Sequence, residues 1–317
     1  MSDAGHGASF LEAHPAARME RRTALWRAPL AAASLLGLIV DGPIVRAQPA
    51  ATDSDLGNFL LNLSYLEAQY HACATTGAGL PSSLLSGGGN PGTANGARQV
   101  TFTDPALAAY AREIAADKRA QVEWLRILVG TGVVAQPDID LGAAASGGFS
   151  TLARLAGIDS AGIFDPYASE NDYLIGAFIF ADLAVTACRG VLNLAREGPA
   201  IEAFAAALAT QAYHAAALRA LLLSKGIITF RLVDATEKLS AARDNLDGPD
   251  DIDQGIRTVG GSPNDESNIV PADARGIPFS RTPGQVLNLL YLTHNQAAGG
   301  GFFPSGANGF FNMSASS

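Results

Sequence analysis

Apolar residues recur at steps of three and four along four long stretches of the chain, the period of a helix that buries one face. The first stretch runs from about Ser54 to Ala74, with Leu56, Phe59, Leu60, Leu63 and Tyr70 on its stripe. A Gly/Ser/Pro-rich segment, Gly77 to Arg98, then breaks the period. It lacks the Gly-Lys-Ser/Thr ending of a phosphate loop and reads as a connection. The second helix opens at Asp104-Pro105, a capping residue followed by proline where its missing N–H costs nothing, and carries Leu107, Tyr110, Ile114, Leu125 and Leu128. A long link, about residues 130–168, holds a partial helix at Thr151–Leu155, read as a crossover along the bundle. The third helix spans about Ser169–Arg196 with Leu174, Phe178, Val185, Cys188 and Leu192 inward. The fourth runs from Pro199 to about Ser224 with Phe204, Leu208, Leu218 and Leu221 inward, and Gly226 as its stop.

The remainder is less periodic. Residues 235–281 are Asp-rich and predict an irregular surface segment. Thr282-Pro283 starts a short fifth helix to about Asn295, with Val286, Leu287, Leu290 and Tyr291 apolar and His294 in step with them. Phe302, Phe303, Phe310 and Phe311 are expected to staple the tail to the bundle; their use as an exposed interaction surface is the rival reading.

Polar residues interrupt the stripes at specific places. Glu67, Lys118, Gln121, Gln211 and His214 all fall on the apolar face of their helix, as does the small Ala181. Buried acids need partners. Lys118 is therefore expected to pair with Glu67, with Gln121, Gln211 and His214 completing a hydrogen-bond network. His71 lies one turn after Glu67. Glu67, His71 and His214 are the residual candidates for a mononuclear metal site.

Several segments, in order, resemble a known family. They are 58–68 (Asn-Phe-Leu-Leu-Asn-Leu-Ser-Tyr-Leu-Glu-Ala), Phe164-Asp165-Pro166-Tyr167, Gly176-Ala177-Phe178-Ile179-Phe180, Ala212-Tyr213-His214-Ala215, Arg281-Thr282-Pro283 and Gly300-Gly301-Phe302-Phe303-Pro304. Over about residues 53–310 the chain resembles the ferritin-like family of bacterial exported proteins and plant desiccation-related proteins. The resemblance implies an all-α fold: an antiparallel ferritin-like four-helix bundle with a long crossover, an irregular polar segment and a short fifth helix. Such bundles can hold two metal ions with one Glu from each of two helices and Glu-x-x-His from each of the others. Against that pattern Lys118 stands for Glu and Gln121 for His in the second helix, Ala181 for Glu in the third, and Gln211 for Glu in the fourth; Glu67 and His214 remain. The departures imply a degenerate di-metal site, no metal or other cofactor, no catalytic residue, and a structural, stress-related or binding role. A metal-dependent oxidase or iron-binding protein, with iron or another divalent metal on the residual residues, is the alternative.

Composition narrows the classes further. Across 317 residues, 48% apolar content supplies a sizeable core, and a net charge of −9 without a basic cluster argues against nucleic acid as a partner. Two cysteines, Cys73 and Cys188, exclude a disulfide scaffold. With the first and third helices taken as parallel and diagonal, the two are read as buried free thiols. No Gly-x-Ser-x-Gly elbow occurs. Arg21 and Arg22 precede an apolar run from Ala28 to Val40, and Val45-Arg46-Ala47 has the small residues of a cleavage site. Residues 1–47 therefore read as an export signal, with Met19 a second candidate start. The expected location is periplasmic or extracellular, with no permanent membrane span after cleavage. Arg21-Arg22-Thr23-Ala24-Leu25 resembles the twin-arginine motif except at Ala24. The expected organisation is signal 1–47, bundle 48–228 and C-terminal extension 229–317.

Overall fold

Thr52 starts the first helix with a capping box: its hydroxyl accepts from the Asp55 N–H, and the Asp55 carboxylate accepts from the Thr52 N–H at 2.8 Å. The computed structural model describes residues 50–158, 162–258, 260, 262 and 264–317, so the export signal expected over 1–47 lies outside the described residues. The helices are α1 (Asp53–Thr76), α2 (Pro105–Val129), α3 (Gly148–Ala156), α4 (Glu170–Leu194), α5 (Gly198–Gly226), α6 (Arg231–Asp247) and α7 (Pro283–Tyr291). The described residues are almost entirely helical and loop, an all-α bundle, with one two-residue parallel ladder, β1 (Ala94–Asn95) on β2 (Ile139–Asp140).

α1 packs along α2, and α4 along α5; α1 also packs on α4, while α2 and α5 touch only sparsely. Hydrogen bonds at the helix ends fix the directions. Asn58 near the start of α1 donates to Gly132 O just past the end of α2, so these two are antiparallel. Glu170 at the start of α4 accepts from the Thr103 and Asp104 N–H groups at the start of α2, so α4 runs with α2. The crossover carrying α3 returns the chain along the bundle to make this possible. The expectation that the first and third helices are parallel and diagonal is therefore corrected: they are antiparallel neighbours. Cys73 sits near one end of the bundle and is partly exposed. Cys188 is buried toward the other, beside Leu60 and Leu63. Both thiols are free.

α4 is long and apolar enough to cross a membrane, but nearly its whole length is buried inside the bundle. On α2 Leu107, Ile114, Lys118 and Leu125 are buried as expected, while Ala111, Val122 and Val129 take the inward places expected of Tyr110, Gln121 and Leu128, and Tyr110 and Leu128 are exposed. The segment expected to be irregular from 235 onward begins as α6. Leu232, Leu239 and Leu246 repeat at two-turn spacing in an otherwise charged sequence, and all three are buried. α7 is shorter than expected and ends at Tyr291 with Leu292 in the left-handed conformation. His294 lies beyond it, exposed rather than packed.

The C-terminal tail enters the core. Phe302 is buried edge-on against Phe149 (5.1 Å between ring centres) and Phe180 (4.9 Å), and Phe303 is fully buried. Phe310 and Phe311 are half-buried, Phe311 against Phe59. Asn308 N–H donates to Asn62 Oδ1 at 3.0 Å, and Asn62 Nδ2 donates back to Asn308 O at 2.8 Å.

Candidate functional site

α1, α2 and α5 each turn polar side chains inward near mid-length, and four of them join in one hydrogen-bonded cluster. Lys118 Nζ donates to Glu67 Oε1 at 2.6 Å, with the two side chains 2% and 1% exposed. Lys118 also donates to Gln211 Oε1. Gln211 Nε2 donates to Glu67 Oε2 at 3.1 Å and to Gln121 Oε1 at 3.1 Å. These contacts explain how an acid and an ammonium persist in an apolar interior. Each offsets the other's lost hydration, and the Gln211 amide takes up remaining donor and acceptor capacity. Burial pushes the Glu67 carboxyl above its ordinary range, against the pull of Lys118 and Gln211.

The amide orientations in this cluster follow from chemistry. An ammonium has donors only, so the Gln211 atom facing Lys118 is its oxygen. The Gln211 NH2 must then face Glu67 and Gln121, and the Gln121 oxygen must face Gln211. The chain of bonds ends at Gln121 Nε2, which is buried and has no partner.

The remaining expected residues do not join the cluster. His214 is buried, but its Nε2 lies 2.9 Å from Asp117 Oδ2 on α2, and its Nδ1 has no partner. The expectation that His214 completes the Lys118 network is corrected: the half-exposed carboxylate one residue before Lys118 takes it instead. Burial and the nearby Lys118 lower its pKa, and Asp117 opposes this. His71 Nδ1 pairs with Tyr173 OH at 2.8 Å, and burial, then Lys118 and His214, push its pKa well down. Glu67, His71 and His214 thus have separate partners. Among the described residues no group of three His, Cys, Asp or Glu side chains converges on one point. Ala181 is buried on α4 and supplies no ligand atom.

A cleft of about 360 Å³ lies outside the cluster where α2 and α5 diverge, lined by Asp117, Ala120, Gln121 and Trp124 from α2 and Ala206, Ala207 and Thr210 from α5. Behind it a void of about 10 Å³ is bordered by Leu60, Leu63, Trp124, Cys188 and Gln211; Gln121 borders both spaces.

A second buried charge cluster escaped the sequence reading. Arg219 donates to Asp182 at 2.7 Å and to the carbonyls of Gln254, Gly255 and Asn268. Arg243 pairs with Asp253 at 2.6 Å and stacks over Phe178. Arg281 bridges Asp247 at 2.5 Å and Asp253 at 3.1 Å. These arginines are among the most deeply buried side chains and fasten the 248–281 strap to α4, α5 and α6. The sequence signal was present in Arg219, set between Leu218 and Leu222 on a buried face, but its partners lie far along the chain.

With this geometry in view, comparison with known proteins is informative. The model of the ferritin-like domain matches residues 52–224, the stretch from the cap of α1 to near the end of α5. The ferritin-like catalase Nec2 of Nesocodon mauritianus is 26% identical over 270 residues, covering 81% of this chain and 84% of that protein. The desiccation-related protein PCC13-62 of Craterostigma plantagineum is 27% identical over 271 residues, covering 81% and 83%. No solved structure matches. The matched stretch takes in more than half of the chain and every residue of the Lys118 cluster, and this protein belongs to the ferritin-like domain family.

Proposed function

We propose that this chain is an exported ferritin-like protein that has given up di-metal chemistry and serves a non-catalytic, stress-related role as a structural or binding protein. The observation that carries the reading is the buried Lys118–Glu67–Gln211 cluster. A carboxylate-bridged metal pair draws on four carboxylates and two imidazoles. The corresponding positions here supply one carboxylate, Glu67, one imidazole already engaged by Asp117, two amides and an ammonium. That donor set does not fit two divalent ions. Like charges about 4 Å apart repel by roughly 4 kcal/mol per pair of unit charges at an effective dielectric of 20, and no second carboxylate in the cluster offsets this. The name of the desiccation-related relative supports the link to stress.

The catalase relative makes the rival outcome concrete. The test is metal content of protein produced in iron- and manganese-rich medium, together with oxygen evolution from hydrogen peroxide. The reading expects well under one ion per chain and no peroxide decomposition. Two ions per chain, lost in Glu67→Ala, would overturn it. Export is tested separately by N-terminal sequencing of the secreted protein, which is expected to begin at Gln48.

A further inference from the structure

The hydrogen-bond chain that begins at Lys118 has a direction, and it ends on an unused donor of Gln121. That residue lines the cleft while its NH2 lies just beneath the wall, so that an acceptor in the cleft reaches it by a turn of that side chain. Gln121 Oε1 is committed to Gln211, so the orphaned group is the NH2, and the amide cannot turn over without setting NH2 against the Gln211 NH2 and leaving its oxygen facing nothing. A buried donor left unpaired costs about 1–3 kcal/mol, which an arriving acceptor would recover. The Lys118 ammonium, relayed through Gln211, polarises this NH2 toward an acceptor.

The surroundings restrict what can bring that acceptor. Ala120, Ala206 and Ala207 leave the space between the two helices open, and the half-buried Trp124 indole offers a flat apolar surface. The volume, about 360 Å³, is at the small end of ligand pockets. The void behind Gln121, about 10 Å³, is at the lower limit for a single water, so a larger molecule stops at Gln121. The Asp117 carboxylate in the cleft lining repels anions, and an ammonium, which has donors only, cannot satisfy the Gln121 NH2. A carbonyl supplies an acceptor without adding a proton that itself needs a partner.

We infer that the α2–α5 cleft binds a small neutral molecule with a planar apolar body and a carbonyl oxygen, the body lying on Trp124 and the oxygen accepting from Gln121 Nε2. This deepens the binding role proposed above and rests on the metal-free reading of the Lys118 cluster.

Acetophenone is the probe, and ethylbenzene, nearly the same skeleton without the oxygen, is its control. In the mature chain expected to begin at Gln48 the remaining tryptophan is Trp124, so its indole N–H signal in ¹⁵N NMR reports the site. Acetophenone is expected to shift the Trp124 signal saturably and to bind about tenfold tighter than ethylbenzene, the worth of one buried hydrogen bond. Gln121→Leu should abolish that preference. Ala206→Leu, at an exposed position and so harmless to the core, should fill the cleft and weaken both probes at least tenfold. Thermal melts of each variant establish that it is folded, and if Gln121→Leu does not fold, the probe preference and Ala206→Leu decide. Equal affinity for the two probes, a preference that survives Gln121→Leu, binding unaffected by Ala206→Leu, or no saturable shift (water alone satisfying Gln121) overturns the inference. Metal content measured on the same sample separates the failures. Two ions per chain would overturn the metal-free reading and this inference with it, whereas metal-free protein without the carbonyl preference would overturn this inference alone.

Discussion

Lys118 and Glu67 form a direct ion pair at 2.6 Å between α2 and α1, shielded from water on all sides. Removing one partner leaves the other charge buried without compensation, which costs about 3–5 kcal/mol. Lys118→Met is expected to lower unfolding free energy by about that much in urea titrations. Adding Glu67→Leu to it should restore most of the loss, because a well-packed apolar replacement of a buried pair is close to neutral. Additive losses in the double variant would show that the two residues do not act as a pair.

Asp244 gives the charge cluster under the strap a pH dependence. Burial, then Asp253 and Asp251, push its carboxyl from 3.8 up to about 8, while the Ile252 N–H and Arg281 pull it down. A carboxyl whose pKa is raised on folding contributes stability that is full below the unfolded value, 3.8, and is lost as pH rises through about 8. Asp244→Asn keeps an acceptor for Ile252 and cannot ionise. Its stability relative to the parent should rise from near zero at pH 4 to about 1–2 kcal/mol at pH 9, allowing for partial exposure. A difference constant over that range would remove Asp244 as the source.

Gly190 on α4 touches the backbone of Arg281, and a β-carbon there would collide with the Arg281 carbonyl oxygen. That carbonyl belongs to the residue whose N–H donates to Thr186 O, so it is poorly free to move. Gly190→Ala should gain a few tenths to 1 kcal/mol of helix propensity but lose more to overpacking, for a net destabilisation of about 1–3 kcal/mol. Limited proteolysis should then cut within 248–281 sooner than in the parent.

The thiols should differ in reactivity. Cys188 is buried and its pKa is pushed up to about 12, first by burial and then by Glu67. Cys73 is partly exposed, with a smaller rise from burial. A disulfide reagent at pH 8 is expected to modify Cys73 in the folded protein and Cys188 only after denaturation. Cys73→Ser should then leave no thiol that reacts before unfolding.

The four long helices were legible because Leu, Phe and Tyr recur at helical spacing and because Asp104-Pro105 and Gly226 mark ends. α6 was not, since Leu232, Leu239 and Leu246 are diluted by Asp, Glu, Lys and Arg. The meeting of Glu67, Lys118, Gln121 and Gln211 could be anticipated because each interrupts an apolar stripe. The choice of Asp117 by His214 could not, because it depends on how far α2 is rotated against α5, a quantity set by packing. Helix direction also escaped. The connection from 130 to 169 is long enough to return along the bundle or not, and only the Glu170 contacts with Thr103 and Asp104 decide it.

The reciprocal bonds between Asn62 and Asn308 link positions 246 residues apart. During synthesis the opening helix would emerge long before its closing partner, leaving a polar amide on an otherwise greasy surface in want of company. Final consolidation of the opening helix therefore waits on a late, slow closure of high sequence separation.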